Sequence, residues 1–235
     1  MKKMTRSTLA AAVVVASSTG GVALTSTASA EVSMNVGAVS NYYFRGITQT
    51  GDDAAIQGGV DYANESGFYV GAWASTVDFG SEASYELDLY AGFAGELGNG
   101  LGYDVGYLYY AYPDEGDDID FGEVYGELSY GDLYGGLAVT ANSDQSSGEA
   151  FDSGDIYYYV GYGFALPQDF GLDLSLGYYT FDADGDPGAE DLDYTHFGAS
   201  LYRDAGDLGQ VSLNLEYADV EDDDRSVFAG AGDDP

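Results

Sequence analysis

Carboxylates are the groups in this chain best able to do chemistry, and eight of them share one placement. Asp61, Glu86, Asp88, Asp104, Glu123, Glu127, Asp173 and Glu216 lie in stretches where apolar and polar residues alternate, each on the polar side. Carboxylates lining an enclosure concentrate cations and exclude anions. The chemistry this predicts is ion selection in a narrow, cation-preferring pore, or an interior that tyrosine side chains and water fill. Arg45, beside Gly46, is the first base after the leader, and the next is Arg203. Two roles are open for Arg45: a constriction residue that sets selectivity, or an internal counter-ion for one or two carboxylates. An unpaired acid cluster in an enclosure is costly, which favours the counter-ion.

His196, the one histidine, falls on the same inward register. A hydrolase would need a hydroxyl nucleophile and an orienting partner near it. The sequence singles out no such serine, so no catalytic residue is assigned and the chain is not read as an enzyme. With no cysteine and one histidine, the usual zinc and iron–sulfur sites are out of reach, and no cofactor is expected. Asp182-Ala183-Asp184-Gly185-Asp186 starts like a calcium loop and Asp193 follows at a suggestive distance, but Pro187 stands where that loop needs glycine. Loose association of Mg²⁺ or Ca²⁺ with acidic loops is the better expectation. Trp73 is expected to pack at an interface or in the interior.

The elements that hold these groups are strands. Leu101, Tyr103, Val105, Tyr107 and Tyr109 point one way, and Gly102, Asp104 and Gly106 the other. The same alternation sets Leu172, Leu174, Leu176 and Tyr178 against Asp173, Ser175 and Gly177, and Val211, Leu213, Leu215 and Tyr217 against Ser212, Asn214 and Glu216. Side chains alternate sides along a strand, so each segment has one apolar and one polar face. On this basis strands are predicted at Val32–Phe44, Ala55–Ala63, Phe68–Val77, Tyr85–Glu96, Leu101–Tyr112, Phe121–Tyr130, Leu133–Thr140, Ile156–Leu166, Leu172–Phe181, Leu192–Tyr202, Gln210–Ala218 and Arg225–Gly230. Most approach the ~9–11 residues that a tilted strand needs to cross a bilayer. Short turns such as Asn64–Gly67 and Gly131-Asp132 alternate with longer polar connections such as Asp78–Ser84, Pro113–Asp120 and Asn142–Asp155. Tight periplasmic turns and longer outer loops alternate in this way in transmembrane barrels. The expected fold is therefore all-β: a closed antiparallel up-and-down transmembrane β-barrel of about twelve strands, within a range of ten to fourteen.

Lys2, Lys3 and Arg6, the apolar run Leu9–Ala16 and the small residues Ala28-Ser29-Ala30 read as an export leader over 1–30, with cleavage between Ala30 and Glu31 and one barrel domain over 31–235. After that leader, Arg45, Arg203 and Arg225 stand against 41 acidic residues. Such a charge repels nucleic acid and favours cations. Adaptation to brine accounts for it equally well. The abundance of Tyr and Phe, 23 and 11, argues against a disordered acidic chain. A soluble barrel would turn its apolar face inward; a membrane barrel turns it outward. The membrane reading is favoured because no acid falls on the apolar face of these strands. Aromatics also gather at strand ends (Tyr42 to Phe44, Tyr109 to Tyr112, Tyr157 to Tyr159, Tyr178 to Phe181), as an interfacial girdle would.

From Ser40-Asn41-Tyr42-Tyr43-Phe44-Arg45-Gly46-Ile47-Thr48-Gln49-Thr50 onward the chain resembles the TorF-like porins, also called the Gcw_chp family. Ala55 to Tyr62, Gly67 to Ser75 and Tyr85 to Asp88 continue the likeness. The resemblance implies an outer-membrane barrel, with outer-membrane lipid, barrel-insertion machinery and small cations or polar solutes as partners. It implies passive diffusion, the alternative being a non-conducting surface barrel that acts as receptor, adhesin or structural protein. Barrels of this sort usually end on an aromatic. Here Val227-Phe228 is followed by Ala229 to Pro235, so a short last strand is expected.

Overall fold

A computed structural model describes residues 30–115, 119–145, 150–182, 192–206 and 209–220. Thirteen strands run in chain order: β1 Glu31–Val39, β2 Tyr43–Phe44, β3 Ile47–Thr48, β4 Ala55–Ala63, β5 Phe68–Thr76, β6 Tyr85–Leu97, β7 Leu101–Ala111, β8 Phe121–Tyr130, β9 Leu133–Ser143, β10 Ile156–Ala165, β11 Phe170–Thr180, β12 Tyr194–Asp204 and β13 Gln210–Ala218. A 3-10 turn, Pro167–Asp169, joins β10 to β11. The leader, the calcium-like loop from Ala183 to Asp191 and the predicted strand Arg225–Gly230 lie outside the described residues.

Eleven strands form one antiparallel ladder, β1-β4-β5-β6-β7-β8-β9-β10-β11-β12-β13, and β2 pairs with β3 alone. Each ladder strand reverses its neighbour, so the odd number leaves β1 and β13 pointing the same way. Among the described residues no register joins those two. Short connections lie at one end of the ladder and long ones at the other. At the tight-turn end, the Gly67 N–H donates to the Asn64 carbonyl over 3.0 Å with Gly67 at φ 86°, a conformation that a residue with a side chain adopts with strain.

One face of the ladder is apolar and exposed. Val36 is 84% exposed, and Leu89, Val105, Leu128, Leu176, Leu213 and Tyr217 also face out. The other face holds the buried groups. There glycine and tyrosine interlock across strands: Tyr69 pairs with Gly92, Tyr90 with Gly71, Tyr125 with Gly106, Tyr134 with Gly161 and Tyr159 with Gly136. A β-carbon at any of these glycines would run into the facing ring. Each ring lies over a strand that has no side chain at that point, and so the interior closes up.

Two predictions need correction. The first strand was expected to run from Val32 to Phe44 with Arg45 at its top. Instead β1 ends at Val39, and the chain turns inward into the β2–β3 hairpin with Arg45 and Gly46 at its tip. The strand-end aromatics are not mainly a girdle either. Tyr42, Phe44, Tyr110, Tyr112, Tyr157, Tyr179 and Phe181 are buried in the interior, while Tyr158 and Tyr178 face out. Once the hairpin supplies an inner apolar surface, rings at the long-connection end gain more by packing on it than by facing outward.

Candidate functional site

The site is built around the hairpin. Among the described residues its two strands pair with each other alone, with Tyr43 opposite Thr48 and Phe44 opposite Ile47. The Gln49 N–H donates to the Tyr42 carbonyl over 2.7 Å, closing its base. At the tip Arg45 and Gly46 both have positive φ, 50° and 86°. A β-carbon on Gly46 would stand 2.8 Å from Cβ of His196, so the tip meets β12 at a point where only glycine fits.

Arg45 reaches into the middle of the acid face. Its Nη1 and Nη2 each donate to Glu123 over 2.7 Å, in the two-pronged geometry that suits guanidinium and carboxylate. The rings of Phe44, Tyr157 and Tyr179 surround the guanidinium carbon at 4.6, 4.1 and 4.8 Å from their centroids. Tyr110 and Tyr179 donate to the same carboxylate, over 3.1 and 3.4 Å. A register shift between Gly122 and Glu123 interrupts the β8–β9 ladder at this point. Such irregularities re-aim a side chain, here the one that receives Arg45.

The other acids are met in the same manner. Glu86 accepts from Tyr42 over 2.8 Å and from Tyr112 over 2.7 Å. Asp104 accepts from Tyr69 over 2.5 Å, Glu127 from Tyr159 over 2.8 Å and Asp173 from Tyr134 over 2.7 Å. Tyr90 donates to Asp61, and the hydroxyls of Tyr69 and Tyr125 meet. His196 Nε2 lies 2.6 Å from the Tyr157 hydroxyl, and its Nδ1 lies 4.0 Å from Glu216. Asp88 is the exception. It is 0% exposed, and among the described residues neither of its oxygens has a hydrogen-bond partner.

All nine residues singled out from the sequence thus belong to one surface. Arg45, Glu86, Asp88, Asp104, Glu123 and Glu127 are buried; Asp61, Asp173 and Glu216 are partly accessible. Among the described residues no group of three or more His, Asp or Glu side chains is arranged to hold a metal ion. Sequence reasoning allowed for an interior filled by tyrosines but did not name those that brace the acids. A signal for them was present: Tyr69, Tyr90, Tyr110, Tyr157 and Tyr179 occupy the acid side of the period-two alternation.

A family profile described as "Bacterial protein of unknown function (Gcw_chp)" matches residues 23–233. No curated protein matches the chain. Among solved structures it is similar to OpdL of Pseudomonas aeruginosa, at 13% identity over 80% of this chain and 63% of that one, with a TM-score of 0.40. It is also similar to OpdK of the same organism crystallised with vanillate, at 13% identity over 78% and 54% of the two chains and a TM-score of 0.38. OccAB2 of Acinetobacter baumannii gives 15% identity over 71% and 48%, with a TM-score of 0.38. The chain covers less than two-thirds of the length of each of these three. Since the profile spans nearly all of the sequence, the Arg45–Gly46 hairpin and the strands around it included, the chain belongs to the Gcw_chp family.

Proposed function

We propose that the chain is an outer-membrane β-barrel through which small cationic or polar solutes diffuse passively, exported by a leader that ends at Ala30 and matures at Glu31. The observation that carries this reading is the polarity of the ladder. Val36, Leu89, Leu128, Leu176 and Leu213 are exposed on one face, and Glu86, Asp88, Asp104, Glu123 and Glu127 are buried on the other. A water-soluble barrel has the reverse arrangement, and so wide an exposed apolar face is what lipid hydrocarbon covers. In this reading Arg45, Asp61, Glu86, Asp88, Asp104, Glu123, Glu127, Asp173 and Glu216 line the lumen, and the accessible Asp61 and Asp173 attract cations first. Outer-membrane lipid and the barrel-insertion machinery are the proposed partners, as the resemblance to TorF-like porins implied.

The test is the reversal potential of the purified protein in a planar bilayer under a potassium chloride gradient. A shift toward the potassium equilibrium potential is expected. A folded protein that prefers chloride sinks the reading, as does one that stays silent even when Glu123→Gln removes the buried partner of Arg45. One observation favours a second reading, a surface barrel that conducts nothing: Tyr179 and Asp88 are wholly buried in the interior. Liposome swelling in small sugars separates the two, since only a pore lets the sugar in.

A further inference from the structure

The eleven-strand ladder does not require the β2–β3 hairpin, yet the chain spends Tyr42 to Thr50 on placing it inside. We propose that this hairpin is a plug that shuts the interior at the long-connection end, and that the Arg45–Glu123 pair is its latch. The proposal rests on the porin-like reading and assigns that pore a closed state.

Among the described residues the plug has no ladder to the wall, because β2 and β3 pair only with each other. One backbone bond, from the Asp78 N–H to the Gln49 carbonyl over 2.9 Å, ties its base to the connection before β6, and side chains hold the rest. Arg45 forks onto Glu123, Tyr42 donates to Glu86, and Gly46 abuts His196 and Ala218. Phe44 lies edge-on to Tyr110, 5.6 Å between ring centres, and Ile47 joins the buried cluster of Ala138, Tyr157, Tyr179 and Tyr194. The hairpin can therefore leave as a unit without breaking a rung of the ladder. Positive φ at Gly51 and Asp52, 55° and 68°, marks a tight bend between the hairpin and β4. Of these attachments the Arg45–Glu123 pair is the ionic one, enclosed by rings, and the geometry is two-pronged. Losing either partner leaves the other charged and buried without its counter-ion, so the released state is favoured.

The chain has no cysteine, so a single introduced thiol reports on the plug. Ala138 is 5% exposed within the cluster that Ile47 joins. In the full-length refolded chain carrying Ala138→Cys, a small water-soluble maleimide is expected to react slowly. Adding Glu123→Gln, which keeps the shape of the side chain and removes its charge, is expected to speed labelling at least tenfold and to raise planar-bilayer conductance with it. Heat-modifiable gel mobility checks the fold. Should Glu123→Gln fail to fold, Arg45→Ala takes its place with the same readouts. Equal labelling rates with and without the latch overturn the plug, as does rapid labelling of Ala138→Cys alone. Faster labelling without any conductance leaves the latch standing and overturns the porin-like reading.

Discussion

The two ends of the interior are built from the same residue types and differ in how fully those residues are buried. At the long-connection end, Tyr42, Tyr110, Tyr112, Tyr157, Tyr179 and Tyr194 are buried along with Glu86, Asp88 and Glu123. Toward the tight-turn end Tyr134, Tyr202, Asp61 and Asp173 remain partly accessible, and burial reaches only the pair Tyr69 and Asp104 and, less fully, Glu127. Both ends pair tyrosine hydroxyls with carboxylates. They differ in the inserted hairpin, which brings a guanidinium and two further rings into one end only. Around Asp61 and Asp173 the tyrosine–carboxylate lining leaves space for water; the hairpin fills that space at the other end and makes every unpaired charge there expensive.

Three measurements can break or sharpen this contrast. The largest effect is expected for Arg45→Met, which keeps the aliphatic bulk but strands Glu123 among rings. Removing one partner of a buried ion pair destabilises by roughly 3–5 kcal/mol, so the heat-modifiable band should be lost at a clearly lower temperature. Unchanged heat resistance would mean that the hairpin end is no more sensitive to charge than the other. Next come matched hydroxyl deletions. Tyr42→Phe takes one of two tyrosine donors from the buried Glu86, at a cost of about 1–3 kcal/mol, whereas Tyr134→Phe beside the accessible Asp173 should cost well under that because water replaces the donor. Equal losses in denaturant titrations would erase the distinction between the two ends.

The smallest effect concerns pH at the rim. Asp155, in the connection before β10, accepts from the Asp182 N–H over 2.8 Å. Burial pushes its carboxyl up to about 7; the Asp182 N–H pulls the other way, and nearby Asp152 adds to the rise. A carboxyl raised in the folded state favours the fold while it is protonated. Its contribution is therefore fully present below the unfolded value near 4 and is lost as pH climbs toward about 7. Melting of the native protein should drop by a few degrees between pH 5 and pH 8, and Asp155→Asn should flatten that slope. A slope unchanged by the substitution would assign it to other acids.

Much of the ladder was legible because period-two alternation is a local signal. Ala55–Ala63, Phe121–Tyr130 and Gln210–Ala218 end where the sequence pattern places them, and the inward acids follow from the same parity. The hairpin was not legible. Between Val39 and Tyr43 the sequence offers only the polar pair Ser40-Asn41 as a sign of a turn, and the contacts that bend the chain inward, Arg45 to Glu123 and Tyr42 to Glu86, join residues 78 and 44 positions apart. The tyrosines were misassigned for a related reason: a phenol suits a membrane interface and a packed polar interior equally, and only its neighbours decide. Asp88 remains without a physical account, a buried carboxylate with no donor among the described residues.

The glycine notches beneath the tyrosine rings have an evolutionary consequence. Enlarging Gly92 evicts Tyr69, and trimming Tyr69 leaves a hollow over Gly92, so neither position drifts freely while its partner stays fixed. Substitutions there should be inherited as couples, and the same rule applies to Gly71 with Tyr90 and Gly161 with Tyr134. Distant relatives could then be aligned strand by strand from covarying small and aromatic columns, even after every buried acid has changed.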